Sequence, residues 1–180
     1  IYGLPVDMER LIKLAKKYNV KIVEDAAEVI GLKYKSRPCG SFGEVSTFSF
    51  YANKHITTGE GGMIATNSSK IAEKCRSLRN ICFNNKRRFL HYELGYNFIF
   101  TNIQAAIGLA QLEKLDKFVK KKRRIGRIYN KKIINSDFIL KPLNKNKFAQ
   151  NIFWVYGLVL KKNSPISLEK LLKRLKDRGI

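Results

Sequence analysis

Apolar residues recur at Met8, Leu11, Ile12 and Ala15, a spacing that predicts a helix entered after Pro5, capped by Asp7 and ended at Asn19. The following run, VKIVEDA, predicts a buried strand. In STFSF the pattern becomes an alternation, with Phe48 and Phe50 on one face and Thr47, Ser49 and Tyr51 on the other. GGMIAT predicts a third short strand, and Ser68 or Ser69 then caps a helix whose inner face carries Ile71, Cys75 and Leu78. Strands alternating with helices in this way predict an α/β layered domain.

From Asn102 an apolar stripe runs through Ile103, Ile107, Ala110, Leu112, Leu115, Val119, Ile125 and Tyr129. Read as one helix it reaches roughly 50 Å, enough to leave one domain and enter another. NIFWVYGLVL predicts a further strand. Ser167 caps a last helix with Leu168, Leu171, Leu172 and Leu175 inside and Gly179 past its end. A domain change is expected near residue 120, and no internal repeat or low-complexity stretch is present.

The chain has 180 residues, 44% of them hydrophobic, which suffices for a buried core and excludes wholesale disorder. It begins at Ile1 and stops just after an apparent helix end, as expected of an interior fragment. No apolar run is long enough to span a bilayer and no secretory segment is visible, so membrane insertion is not expected and a cytoplasmic protein is. Cys39, Cys75 and Cys82 lack paired metal spacing, and His55 and His91 lie far apart, so neither a disulfide framework nor a metal site is expected. The net charge of +22 invites a nucleic-acid reading. The lysines, however, are spread among abundant Ile and Asn without a recognised nucleic-acid motif, and the basic run at residues 120–124 has a solvated helix face as its ordinary reading. No nucleic-acid partner is expected; the positive field suits an anionic small substrate equally well.

Two residues change the picture in combination. Asp25 ends the strand VKIVED, the end at which ligands sit in open α/β sheets, although an isolated aspartate there is ordinarily a turn or helix cap. Lys54 follows the alternating strand by four residues and so lies at a strand end as well. Alone it would be one more surface lysine. A lysine that forms a Schiff base with an aldehyde cofactor, paired with a carboxylate for a pyridinium nitrogen, is the chemistry of pyridoxal 5'-phosphate. Ser49 adds a hydroxyl for the cofactor phosphate, and Gly59, Gly61 and Gly62 would allow close backbone approach. The glycine loop lacks the Lys-Ser/Thr of a nucleotide P-loop and by itself signals little.

The segments VEDAAEVIGLKYKSRPCGSFGEVSTFSFYANKHITTGEGGMIATN, GYNFIFTNIQAAIGLAQLEKLD and NIFWVYGLVL resemble the DegT/DnrJ/EryC1/StrS sugar aminotransferases over nearly the whole chain. The resemblance implies a fold-type I aminotransferase. Residues 1–120 are then the C-terminal part of a large mixed-sheet cofactor domain, and residues 121–180 a linking helix and the start of a small α/β domain. By position, Lys54 matches the family's Schiff-base lysine, Asp25 its pyridine-nitrogen partner and Ser49 its phosphate-binding serine. Glu28 matches the residue beside the cofactor's ring hydroxyl. Asn97 matches one lent to the neighbouring subunit's cofactor phosphate, which implies a homodimer. His55 matches no catalytic position and reads as structural.

The implied reaction moves an amino group from glutamate to a nucleotide-linked 4-keto-6-deoxy sugar, with Lys54 shuttling the proton. A related dehydratase branch carries histidine in place of that lysine, so Lys54 favours amino transfer. Four positions depart from the family pattern: Ile99 stands where arginine is usual, Ile81 and Cys82 where a His-Gly pair is frequent, and Glu44 where aspartate is usual. They bear on substrate handling more than on cofactor binding. An inactive truncated chain and a basic nucleic-acid module are the competing readings.

Overall fold

The computed structural model describes residues 1–83, 87 and 89–180. Helix α1, Met8–Lys17, opens as the pattern requires: Asp7 accepts from the Arg10 amide at 3.2 Å, and Met8 and Ala15 are buried. That amide holds the Asp7 carboxyl below the usual aspartate range, against the opposing effect of desolvation. The Tyr34 hydroxyl also donates to Asp7, at 3.0 Å, and ties the helix entry to the core.

The central sheet has three strands, β1 (Val23–Asp25), β4 (Val45–Ser49) and β5 (Gly62–Thr66), in the order β1-β4-β5. Strand β1 runs parallel to β4, and β4 antiparallel to β5, which makes the sheet mixed, as expected. Between β1 and β4 the short hairpin β2 (Lys33–Tyr34) and β3 (Arg37–Pro38) carries the buried Tyr34. Its ring stacks on Phe148 at 4.8 Å and meets Phe42 edge-on at 5.6 Å.

Register assigns the two faces of the sheet. Asp25 lies beside Thr47, which lies beside Ile64, while Glu24 lies beside Ser46 and Ala65 on the opposite face. On the inner face, Glu24 accepts from the amides of Gly40 (2.5 Å), Phe42 (3.0 Å) and Gly43 (3.3 Å) and fixes the turn before β4. Gly40, at φ +86°, admits no side chain there, because a Cβ would fall 2.2 Å from the Phe48 ring.

Helix α2, Ser69–Arg79, is capped by Ser68, whose hydroxyl accepts from the Ile71 amide at 3.4 Å. Its expected inner residues Ile71, Cys75 and Leu78 are only half-buried. The long helix expected from Asn102 is two helices, α3 (Asn102–Leu112) and α4 (Leu115–Lys132), broken at Glu113 and Lys114. The halves are anchored to different elements: Gln111 of α3 is bonded to Thr57, whereas Leu115 and Val119 of α4 pack over Gly31. Helix α4 is continuous through residue 120, and Ile103 is 76% exposed while Val119 is 4% exposed, so the stripe serves different surroundings along its length.

The strand expected over residues 151–160 is confined to β7 (Val159–Leu160), which pairs with β6 (Ile139–Leu140). Residues 151–154 are instead buried or half-buried irregular chain, with Phe153 at φ +48°. Their backbone groups find partners outside a ladder: the Ile152 amide donates to the Gly3 carbonyl at 3.1 Å, the Phe153 amide to Asn151 Oδ1 at 2.6 Å, and Lys122 Nζ to the Trp154 carbonyl at 3.2 Å. The last helix, α5 (Leu168–Lys176), is capped by Ser167, but Leu168 and Leu172 are exposed rather than inside. The core joins Met8, Ala26, Val29, Leu32, Tyr34, Cys39, Val119 and Ile152, so residues from both sides of position 120 share it.

Candidate active site

Asp25 and Ser49 stand at the carboxyl ends of adjacent parallel strands. Because Asp25 pairs with Thr47, and Ser49 lies two residues beyond Thr47, the two side chains share one face of the sheet, opposite Glu24, Ser46 and Phe48. Asp25 is exposed and closes the turn after β1, its Oδ1 accepting from the Ala27 amide at 3.0 Å; the capping role and the end-of-strand placement coexist. Ser49 Oγ accepts from the Tyr51 amide at 3.3 Å and starts the connection to β5.

Lys54 lies in that connection, which two groups of contacts hold. On one side, Gln111 of α3 makes a reciprocal pair with Thr57, accepting from its amide at 3.1 Å and donating to its carbonyl at 2.6 Å. Gln104, which also completes the capping box with Thr101, donates to the Glu60 carbonyl at 3.1 Å. On the other side, three consecutive residues meet segment 151–154. The Trp154 indole N–H donates to the Asn53 carbonyl at 3.2 Å, Lys54 Nζ sits 3.9 Å from the Trp154 ring centroid, and His55 Nε2 faces the Ile152 carbonyl at 3.5 Å.

His55 is buried, and desolvation, reinforced by the charges of Lys122 and Lys54, lowers its pKa to about 4 against the weaker upward pull of Ile152. A neutral ring facing a carbonyl carries its proton on Nε2. The structural role expected of His55 is the one observed: it fastens the lysine turn.

Glu28, half-buried, accepts from the Tyr2 amide at 2.6 Å, and the Tyr2 ring lies 6.3 Å from that of Trp154. Asp25 and Ser49 thus stand at adjacent strand ends, while Glu28 and Lys54 are linked through Tyr2 and Trp154, to which sequence reasoning gave no role. The only available signal was aromatic character, which a core position would explain equally well. Asn97 stands apart and exposed, its backbone bridged to Asn80. The flanking amides of Tyr96 and Phe98 cap α2 by donating to Leu78 (2.7 Å) and Arg79 (2.9 Å). Of the three glycines, only Gly59, at φ +79°, borders open space. Gly61 is packed by the Phe100 ring, and Gly62 is taken up by its pairing with Ser49.

The basic run is partly consumed by structure. Arg123 donates to the carbonyls of Asn151 and Gln150, both at 3.3 Å, and Lys122 to that of Trp154. Burial lowers the Arg123 pKa from its ordinary value.

The mixed α/β sheet is consistent with the fold-type I aminotransferases. The chain belongs to the DegT/DnrJ/EryC1/StrS aminotransferase family, whose model matches residues 1–180. It is 42% identical over 180 residues to GDP-perosamine synthase of Escherichia coli O157:H7, covering all of this chain and 48% of that one. It is 38% identical to GDP-perosamine synthase of Caulobacter vibrioides, with the same shares covered. Helicobacter pylori PseC, an aminotransferase involved in the biosynthesis of pseudoaminic acid, superimposes with a TM-score of 0.90 at 29% identity, over 99% of this chain and 48% of that one. The chain spans about half the length of the curated relatives it matches.

Proposed function

We propose that this chain is part of a pyridoxal 5'-phosphate-dependent aminotransferase, similar to GDP-perosamine synthase, that moves an amino group from glutamate to a nucleotide-linked 4-keto-6-deoxy sugar. On this reading it works in the cytoplasm as a homodimer and supplies amino sugars for surface polysaccharide. Residues 1–120 contribute to the cofactor domain, and residues 121–180 start the smaller one. One observation carries the reading: Lys54 is held beyond the same strand ends where Asp25 and Ser49 share a face.

The donor set suits the cofactor in charge and type. The Asp25 carboxylate would keep a proton on the pyridine nitrogen, and the Ser49 hydroxyl would donate to the phosphate. Glu28 would lie beside the ring hydroxyl, and Asn97 would reach the partner subunit's phosphate. When bound, pyridoxal phosphate supplies an electron sink for the pair left at the donor's α-carbon. Lys54 Nζ would be the base that takes the α-proton and delivers it within the site, and the same amine would serve the reverse transfer for the sugar. The pairing of Gln111 with Thr57 keeps the lysine loop in place through both halves of the cycle.

The test is to add pyridoxal phosphate to the purified chain and to Lys54→Ala, reduce with borohydride and map the label. The expected result is a visible absorption band in the unaltered chain that Lys54→Ala abolishes, with the reduced label on Lys54. Label scattered over other lysines and indifferent to Lys54→Ala would overturn the assignment.

A further inference from the structure

Trp154 makes two contacts of different kinds with the lysine turn. Its ring face lies under the Lys54 ammonium at 3.9 Å, and its N–H is bonded to the carbonyl of the preceding residue, Asn53, at 3.2 Å. A cation over an indole face is attracted by the ring quadrupole, and the bond to Asn53 fixes the indole's height and rotation. Trp154 is itself held from three directions: Lys122 of α4 donates to its carbonyl, the Tyr2 ring packs beside it, and Phe153 next to it is pressed against Gly126 of α4. Gly126 has no room for a side chain, since a Cβ would fall 2.4 Å from the Phe153 ring. The indole is therefore a fixed surface, and the lysine is the movable partner.

We propose that Trp154 is a positioning residue for Lys54, holding the ammonium against its ring face whenever the amine is free and setting the direction from which the amine leaves and returns. This rests on the reading of Lys54 as the reacting amine. A lysine with a long flexible stem has many rotamers, and a single docking face removes most of them before each return to the site. The indole N–H adds a constraint on the turn backbone that a phenyl ring cannot supply. The ring face and the N–H can therefore be separated by substitution.

The test uses the chain with carbon-labelled lysine. A lysine held over an indole shows its ε-methylene signal displaced upfield by the ring current, and this displaced signal should be lost in both Lys54→Arg and Trp154→Leu. The second readout is the fraction of borohydride-fixed pyridoxal phosphate that maps to Lys54, expected to fall about tenfold in Trp154→Leu and to recover in part in Trp154→Phe, which keeps a ring face. Circular dichroism of both variants separates loss of fold from loss of position. No displaced signal in the unaltered chain, or labelling of Lys54 unchanged in a folded Trp154→Leu, would overturn the positioning role. A displaced signal with no label on Lys54 in the unaltered chain would overturn the functional reading and, with it, the role, while the contact itself stood.

Discussion

A neutral imidazole one residue from the candidate reactive amine is an acid-sensitive fastening. The folded ring resists protonation down to about pH 4, whereas the unfolded ring takes up a proton near its ordinary value of 6.5. The unfolded chain therefore binds more protons between those values, and stability present at pH 7 is lost as the pH falls from 6.5 toward 4. Full expression of that difference is worth roughly 3 kcal/mol. Urea melts at pH 7.5 and pH 4.5 should show this loss, and His55→Gln should make it smaller. Sequence reasoning set His55 aside as structural but had no means of seeing what it fastens, because its partner, the Ile152 carbonyl, lies 97 residues away. The placements of Asp25 and Ser49 at strand ends were legible because they depend on position along strands. Trp154 and Tyr2 were not, because theirs depend on how separate segments meet.

Among the elements, α3 shows why a helix with an apolar stripe need not be a core helix. Its best-defined interactions are polar: Gln104 and Gln111 face the β4–β5 connection and bond to its backbone. Replacing Gln111 by Leu would strand the Thr57 amide and carbonyl in a half-buried place, at a cost of about 2 kcal/mol. A drop of that size in the unfolding free energy from urea melts, together with faster amide exchange across residues 50–61, is the expected outcome; unchanged exchange would show that the loop is held elsewhere. Helix caps at Asp7 and Ser167 were readable from local chemistry and are present, as is Ser68, one of two candidates there; the capping box at Thr101 was not anticipated. The break between α3 and α4 was not, since neither glycine nor proline marks it and the cause is attachment of the two halves to different neighbours. The strand expected over residues 151–160 is reduced to its last two residues for a related reason: side chains of α4 bond the carbonyls of Asn151 and Trp154 where a ladder would have stood.

For the whole molecule, 36 basic residues against 14 acidic ones impose a self-repulsion that a few ion pairs do not offset. Lys21–Glu44, Lys35–Glu9 and Lys74–Glu93 are all well exposed at the surface and contribute little each. Added salt should therefore stabilise the chain by screening repulsion more than it weakens these pairs. Thermal melts in 20 mM and 300 mM sodium chloride should show a higher midpoint in the stronger salt; a lower one would mean that specific pairs dominate. The α/β class was legible at this scale because alternation of elements is a sequence property, whereas the mixed sheet was implied by the family resemblance alone. A continuous helix crosses residue 120, and residues on both sides of it share the core.

The lysine turn is closed by Trp154, 101 residues beyond Asn53. A ribosome adding about 5–20 residues each second needs on the order of 5–20 seconds to cover that interval, so the nascent turn waits for its partner after β4 has emerged. During that wait the lysine turn lacks its contacts to Ile152 and Trp154, which form only after the 151–154 segment has left the exit tunnel and docked.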